Sequence, residues 1–270
     1  MACNLVVDGI RVEIGSCKIL DNIEIRVGGG EILAIIGPNG SGKTTLLKCI
    51  SRTISPVSGE IIVCGRPARE YSNREYSKTV SAMLPQWPSG FSMKSYEIVL
   101  MGCRNQSTGV WWEGEKELEV ARAALGVLNA MDLYERDFDT LSSGEQRKVL
   151  IAKSLAQRTG IILLDEPVAY LDMKHKLEVM TVLRALADMG KTVLVTLHEI
   201  DLASKYCENV VVLSEGKVVA AGKPREVITS ELLSSVYGVE AVVKWDEEID
   251  YPVIVPKTGR LQRGAISCLM

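Results

Sequence analysis

Gly37-Pro38-Asn39-Gly40-Ser41-Gly42-Lys43-Thr44-Thr45 is the stretch from which the fold can be read. It fits G-x-x-x-x-G-K-[ST], the phosphate-binding loop known as Walker A. The residues on either side agree with it. Glu31-Ile32-Leu33-Ala34-Ile35-Ile36 is a short apolar run rich in isoleucine, the composition of a buried strand. Lys43 to Ile50 is predicted as a helix with Leu46, Leu47 and Ile50 on its apolar side. Strand, glycine-rich loop and helix start, in that order, gather backbone N–H groups and the positive end of a helix around one anion. Glycines let the backbone approach a phosphate with no Cβ in the way. Lys43 is expected to reach the β- and γ-phosphates and the Thr44 hydroxyl to hold Mg²⁺. A glycine-rich turn with a stray lysine would explain the loop but not the agreement of all three elements. By itself the loop specifies only a nucleoside triphosphate; kinases, GTPases, recombinases and transport motors share it.

The bulk composition narrows the class. The chain has 270 residues, 47% of them hydrophobic and 24% charged, which is ordinary for a globular protein. Net charge is only −3, with pI near 5.6. That argues against a basic nucleic-acid footprint, and no nucleic-acid partner is expected. The cysteines number seven, and none stands in C-x-x-C spacing. Neither a disulfide framework nor a zinc site is indicated, and reduced thiols are expected. No apolar run approaches the roughly 20 residues that span a bilayer. No signal peptide is expected either, so any membrane role has to come through a partner.

Taken in order, the chain starts with strands: Leu5-Val6-Val7, Arg11-Val12-Glu13-Ile14 and Ile23-Glu24-Ile25-Arg26-Val27, with Asp8-Gly9 and Asp21-Asn22 read as turns. Glu60 to Cys64 is a further strand. Ser72 with Glu75 is a capping box for a short helix, and Val80 to Leu84 is a strand ending at Pro85-Gln86. Helices are predicted over Met93 to Met101 and Glu115 to Ala130, the latter with Leu118, Ala121, Leu125 and Leu128 at helical spacing. From Ile161 an α/β rhythm returns. Ile161 to Leu164 and Thr192 to Leu197 are buried strands, with a helix over Lys174 to Asp188 between them. Val210 to Leu213 and Lys217 to Ala221 form a hairpin around Glu215-Gly216, and Ser230 to Tyr237 is a short helix. Beyond Gly238 the pattern is weak, and the last dozen residues are expected to lack order.

Two further stretches carry chemistry. Leu141-Ser142-Ser143-Gly144-Glu145-Gln146 opens a helix, with Ser142 and Glu145 as its capping box; free N–H groups at Ser143 and Gly144 make a second anion site. Asp165 and Glu166 follow the aliphatic run Ile161–Leu164, where a Walker B pair belongs. An aspartate there holds Mg²⁺, and a second carboxylate orients and deprotonates an attacking water. The combination resembles the ABC (ATP-binding cassette) ATPases, whose signature motif is LSGGQ, with Ser143 standing where the first glycine does. The resemblance covers roughly Leu5 to Gly238.

That resemblance implies an α/β fold: a P-loop NTPase (RecA-like) core with an antiparallel β subdomain and an inserted helical subdomain over about 88–157. The ATPase domain would span 1–240 and a C-terminal tail 241–270. It implies ATP and Mg²⁺ as ligands. Gln86 matches the Q-loop glutamine, which senses Mg²⁺ and the partner. Leu171-Asp172 matches the D-loop, and His198 the switch histidine that contacts the γ-phosphate. The other histidine, His175, falls in a helix with no motif and is read as a surface residue. The sequence leaves open which subunit each anion site serves. The family arrangement is a second copy packed head-to-tail, each ATP lying between Walker A of one chain and the signature of the other.

Pro85-Gln86, the run Glu97 to Gly102, the run His198 to Ala203, and the stretch from Gly216-Lys217 through Glu231-Leu232-Leu233 to Tyr237-Gly238 resemble importer subunits for iron–siderophore, haem and cobalamin uptake. Exporter cassettes carry G-E-R-G before the signature; here Asp137-Phe138-Asp139-Thr140 stands instead. The implied partners are an integral-membrane permease and, through it, a solute-binding protein, with the chain peripheral on the cytoplasmic face of the membrane. Trp87, Phe91, Trp111 and Trp112 either meet that permease or pack inside the helical lobe. The alternative is a soluble ABC ATPase acting on nucleic acid or ribosomes. Such proteins usually carry two cassettes or a long coiled-coil insertion, and this sequence shows neither. A binding module without turnover is a third class, disfavoured by the presence of Gln86, Glu166 and His198.

Most relatives place an aromatic residue, which stacks on adenine, six positions before the residue that is Leu20 here; this chain has Ile14. Losing the stack removes about 0.5–1.5 kcal/mol, by the size of aromatic-pair energies. GTP and ATP are therefore expected to be hydrolysed with similar efficiency. A preference for ATP of about tenfold or more in kcat/KM, which is about 1.4 kcal/mol, would show that another side chain discriminates the base.

Overall fold

The computed structural model describes residues 4–84, 93–104, 114–248 and 251–257. It opens with strands β1 (Leu5–Ile14) and β2 (Cys17–Val27), paired antiparallel. Asp8-Gly9 and Asp21-Asn22 are not the turns expected of them; both strands run through. The buried positions explain why. Along β1 they are Leu5 and Val7, then Ile10 and Val12; along β2 Leu20, then Ile23, Ile25 and Val27. Each strand changes from one parity to the other part-way. A continuous strand would turn half of these side chains outward. Register shifts after Val7 and after Ile10 absorb the change, with Gly9 (φ +61°) and Asn22 (φ +52°) in left-handed geometry. The chain reverses instead at Gly15-Ser16, between the paired Ile14 and Cys17.

Next come β3 (Ile32–Ile36), α1 (Lys43–Ile50), β4 (Ser58–Val63), β5 (Arg66–Pro67), α2 (Asn73–Thr79) and β6 (Val80–Met83). Helix α2 begins with both bonds of the Ser72/Glu75 capping box. Then follow α3 (Ser95–Cys103), α4 (Glu115–Gly126), α5 (Ser143–Ala156), β7 (Ile161–Asp165), α6 (Met173–Asp188), β8 (Thr192–Thr196) and α7 (Ile200–Tyr206). Helix α3 starts two residues later than expected. The Met93 carbonyl accepts the Phe138 N–H, and Lys94 is extended and bridges to Asp137. Helix α4 ends at Gly126, ahead of the expected Ala130; Leu128 and Ala130 are buried all the same.

The chain closes with β9 (Asn209–Ser214), β10 (Lys217–Gly222), α8 (Pro224–Val227), α9 (Ser230–Tyr237), β11 (Ala241–Asp246) and β12 (Tyr251–Pro256). The turn between β9 and β10 is at Glu215 and Gly216, both with positive φ, as the hairpin reading requires. The stretch beyond Gly238, read as weakly patterned, holds an antiparallel hairpin of β11 and β12. Ala241, Val243 and Trp245 alternate inward along it, a period-two signal too short to stand out. The last dozen residues lie outside the described ones. One thiol also departs from expectation: Cys64, exposed after β4, is disulfide-bonded, while Cys17, Cys49, Cys103 and Cys207 are free.

The fold is α/β, with β2-β1-β4-β5 forming an antiparallel sheet and β10-β9-β3-β8-β7-β6 a larger sheet that is parallel except at β10. Its central strands are buried on both faces. Ile32, Ala34 and Ile36 of β3 join Ile162, Leu164, Val193 and Val195 in a core shared with α3, α4, α5 and α6. Leu33 and Ile35 join Ile161, Leu163 and Leu194 in a second core with α1 and the antiparallel sheet. Continuous apolar runs are what such double burial demands. Ligands of open parallel sheets bind beyond the carboxyl ends of the strands, and here those ends carry Gly37, Asp165 and Thr196.

A buried hydroxyl chain docks α5 onto the sheet. Ser154 Oγ donates to Ser81 Oγ at 3.0 Å, Thr159 Oγ1 lies 2.9 Å from the same oxygen, and Thr159 donates to the Ile161 carbonyl at 2.8 Å. All three side chains are buried. Ser81→Ala should therefore cost about 1–3 kcal/mol, because it orphans buried hydroxyls. Urea unfolding checks this: the midpoint should fall while the slope with denaturant stays the same.

Candidate nucleotide-binding and hydrolysis site

The phosphate loop leaves β3 at Gly37. A Cβ there would sit 2.0 Å from the Leu213 carbonyl oxygen of β9, and φ is +147°. A Cβ at Gly42 (φ +104°) would meet Leu20 Cδ2 at 2.6 Å. These two glycines are thus required by the protein's own packing, not only by a phosphate. At Gly40 nothing lies within 4 Å, so the loop is open on that side, where a ligand can approach. Gly42 is the N-cap of α1 and supplies no side-chain bond, which leaves the first-turn N–H groups to a ligand. Ser41 Oγ is buried with no partner.

Lys43 is buried and arches back over the loop. Its Nζ donates to the Gly37 carbonyl at 2.8 Å and the Pro38 carbonyl at 3.0 Å. Burial pushes the ammonium pKa down, and the carboxylates of Glu166 and Asp165 oppose that shift. The opposition brings together residues far apart in the sequence: Lys43 faces the acidic pair. Tyr237 of α9 adjoins the loop: burial raises its phenol pKa to about 12, and the Gly37 backbone draws it the other way.

Asp165 is buried at the end of β7. The Thr196 hydroxyl, one strand away, donates to Asp165 Oδ1 at 2.6 Å and accepts the Glu166 N–H at 2.8 Å. One side chain thereby orients both carboxylates. Asp165 Oδ2 is buried and unpartnered, a costly state for a carboxylate oxygen unless a cation takes it. Glu166 has φ +50°, a strained conformation for a non-glycine residue, of the kind concentrated at functional sites. That turn points its carboxylate at His198, whose Nε2 donates to Glu166 Oε1 at 2.7 Å.

The remaining candidates divide. Ser142 and Glu145 close both bonds of the capping box at the start of α5, and Glu145 also pairs with Arg136 at 2.7 Å. Gly144 is pressed against the next loop: a Cβ there would lie 3.0 Å from the Tyr170 carbonyl and 3.3 Å from Leu171 Cδ2. Among the described residues, no hydrogen bond or ion pair joins 142–145 to the phosphate loop 37–45. Asp172 is exposed and caps α6, accepting the His175 N–H at 2.9 Å and pairing with His175 Nδ1 at 2.8 Å. His175, read as a surface residue, is thus held by Asp172. Gln86, Trp87, Phe91, Trp111 and Trp112 lie outside the described residues. Ile14 is 53% exposed, so no packing demand keeps it apolar.

Comparison with known proteins decides the family. The family model described as ABC transporter matches residues 20–169, more than half the chain. This chain belongs to the ABC transporter family. It is 34% identical to the hemin import ATP-binding protein HmuV of Gloeobacter violaceus over 256 residues, 92% of each chain. It is 32% identical to the ferric enterobactin transport ATP-binding protein FepC of Escherichia coli over 246 residues, 90% of each. Among solved structures it is similar to an inward-facing putative metal-chelate type ABC transporter, with TM-score 0.79, 26% identity, and 96% and 98% of the two chains covered. It is also similar to the dimeric ATP-binding cassette MJ0796 bound to ADP and Pi, with TM-score 0.74, 27% identity, and 82% and 99% covered.

As an ABC transporter ATP-binding protein the chain binds ATP and is an ATPase, and its fold is the P-loop core of that family. The donors fit a triphosphate and a divalent cation: free helix-start N–H groups, a lysine held over the loop, and an orphaned buried carboxylate oxygen. Reading the sequence missed Thr196, Tyr237 and Arg147, whose Nη1 donates to the Asp165 carbonyl at 3.3 Å. Thr196 gave no motif signal, being one β-branched residue in a β-strand.

Thr196→Val keeps the shape and removes both bonds. Turnover should fall about 10–100-fold, the usual cost of losing a residue that orients metal ligands, with a higher Mg²⁺ requirement. Steady-state phosphate release titrated with Mg²⁺ checks it; turnover within about twofold of the parent, or under 0.5 kcal/mol, would show that the carboxylates hold their own positions.

Proposed function

We propose that this chain is the ATP-hydrolysing subunit of an importer, acting on a separate membrane permease to drive uptake of a metal chelate such as an iron–siderophore, haem or cobalamin. The observation that carries it is the meeting of Lys43, Asp165, Glu166 and His198 at one end of the sheet in a chain whose relatives are named for hemin import and ferric enterobactin transport. No helix among the described residues is long and apolar enough to cross a membrane, which is compatible with a peripheral subunit on the cytoplasmic face. Within this reading the ATPase domain spans 1–240, its helical subdomain about 88–157, and a tail follows over 241–270.

The residues would work as follows. Lys43 exchanges the Gly37 and Pro38 carbonyls for the β- and γ-phosphates, and the loop N–H groups hold the rest of the charge. The Thr44 hydroxyl, Asp165 Oδ2 and Gln86 hold Mg²⁺, which neutralises charge developing on the phosphates. Glu166 orients a water and takes its proton, and His198 holds the Glu166 carboxylate in place and faces the γ-phosphate. Ser142, Ser143, Gly144 and Glu145 present the start of α5 to the nucleotide of a second copy, and Asp172 lies along that seam. Support comes from the helix start itself: it makes no bond to its own phosphate loop, and a similar cassette is described as dimeric.

The test is the molar mass in solution of Glu166→Gln with and without ATP-Mg²⁺. Removing the base should trap the closed state, so mass should double with ATP alone. A monomer under saturating ATP, with the permease also present, would sink the sandwich. Co-purification with nucleic acid instead of membranes would favour the soluble ATPase.

A further inference from the structure

A half-buried cation beside the acidic pair, Arg147, has no role among those assigned above. Arg147 lies on α5, one turn beyond Gly144. Its side chain is half-buried; the partial burial lowers its pKa while Glu166 and Asp165 draw it the other way. Nη1 donates to the Asp165 backbone carbonyl at 3.3 Å, and Cζ sits 5.9 Å from the centroid of the Tyr170 ring. Even partial burial of an arginine is costly unless its donors find acceptors, so the carbonyl it reaches matters to its position. It meets the carboxylate loop at a decisive place. The Asp165 carbonyl belongs to the peptide bond whose N–H is that of Glu166, the residue at φ +50°. Thr196 holds that peptide unit from one side, through the Glu166 N–H, and Arg147 from the other, through the carbonyl. One turn earlier on the same helix, a Cβ at Gly144 would lie 3.0 Å from the Tyr170 carbonyl, so the helix start is a close neighbour of that loop.

We infer that Arg147 is a positioning residue that ties the signature helix to the peptide unit carrying Glu166, so that the two move as one body. The inference rests on the sandwich reading above, which gives it a consequence. The start of α5 serves the nucleotide held by the partner, whereas Glu166 of the same chain serves its own. Arg147 therefore couples the two ATP sites: engagement of the signature at one site sets the base at the other. Its guanidinium touches neither nucleotide nor water in this scheme; it acts through the Asp165–Glu166 peptide. Lysine could keep the charge and one donor but not the planar fork that faces both the carbonyl and the Tyr170 ring.

The experiment uses the full chain and compares the parent, Arg147→Met and Arg147→Lys. Turnover and its Hill coefficient are read against ATP, affinity for a fluorescent ATP analogue is measured separately, and Tm is recorded for each. Arg147→Met should lower kcat by about tenfold or more, the effect of a small misplacement of a catalytic group, with single-site nucleotide affinity and Tm little changed. Its Hill coefficient should fall toward one, because coupling between the sites is lost. Arg147→Lys should recover part of both, and it carries the test if Arg147→Met does not fold. A parental kcat and Hill coefficient in both variants would overturn the inference, as would a loss of rate matched by equal losses of affinity and Tm. Glu166→Gln alone separates the two levels. If it dimerises with ATP while the Arg147 variants behave as the parent, the sandwich stands and the coupling role is wrong. If it stays monomeric under saturating ATP with the permease also present, the sandwich reading fails and the coupling role fails with it.

Discussion

Double burial of the central parallel strands is the constraint on which the rest depends. β3, β7 and β8 give alternate side chains to two cores, and every residue of the three is buried. Side chains along their length can only be apolar or paired. Polar chemistry is confined to the strand ends, and at the carboxyl end the pleat delivers Gly37, Asp165 and Thr196 side by side because the strands lie in the order β3-β8-β7. The helix that follows β3 adds its free N–H groups at the same edge. The site is thus a consequence of how a doubly covered sheet must end.

Charge at that edge is balanced by few groups. Lys43 is held by two loop carbonyls, and both it and Arg147 feel the charges of Asp165 and Glu166. Among the described residues neither cation is ion-paired directly to a carboxylate; each is bonded to backbone oxygen. The carboxylates are held instead by neutral or titratable partners, Thr196 and His198. That leaves Asp165 Oδ2 without a protein partner, which is the arrangement a cation-binding oxygen needs. The strained turn at Glu166 is maintained by bonds to both sides of one peptide unit.

Much of this was legible in local sequence. The phosphate loop, both capping boxes, the Glu215-Gly216 turn and the carboxylates after Ile161–Leu164 all depend on residues within a few positions of one another. The misreadings arose where a local signal was overruled from a distance. Asp8-Gly9 looks like a turn, yet it is a bulge, because β1 must keep Leu5, Val7, Ile10 and Val12 inward against the same core. Helix α3 starts late because the segment before it pairs with Asp137 and Phe138, which come after α4. The β11–β12 hairpin carries its alternation on strands too short to distinguish from loop.

The sequence by itself determined which phosphate-binding loop, which acidic pair and which helix starts this protein has, since these are short-range patterns of residue type and spacing. Only the tertiary structure decided what holds them. Thr196 bridging Asp165 to Glu166, Arg147 reaching the Asp165 carbonyl and Gly144 close to the Tyr170 carbonyl all join residues brought together by strand order and helix docking. Those contacts carry no signature in a one-dimensional string, because any threonine or arginine can make them once the sheet places it there.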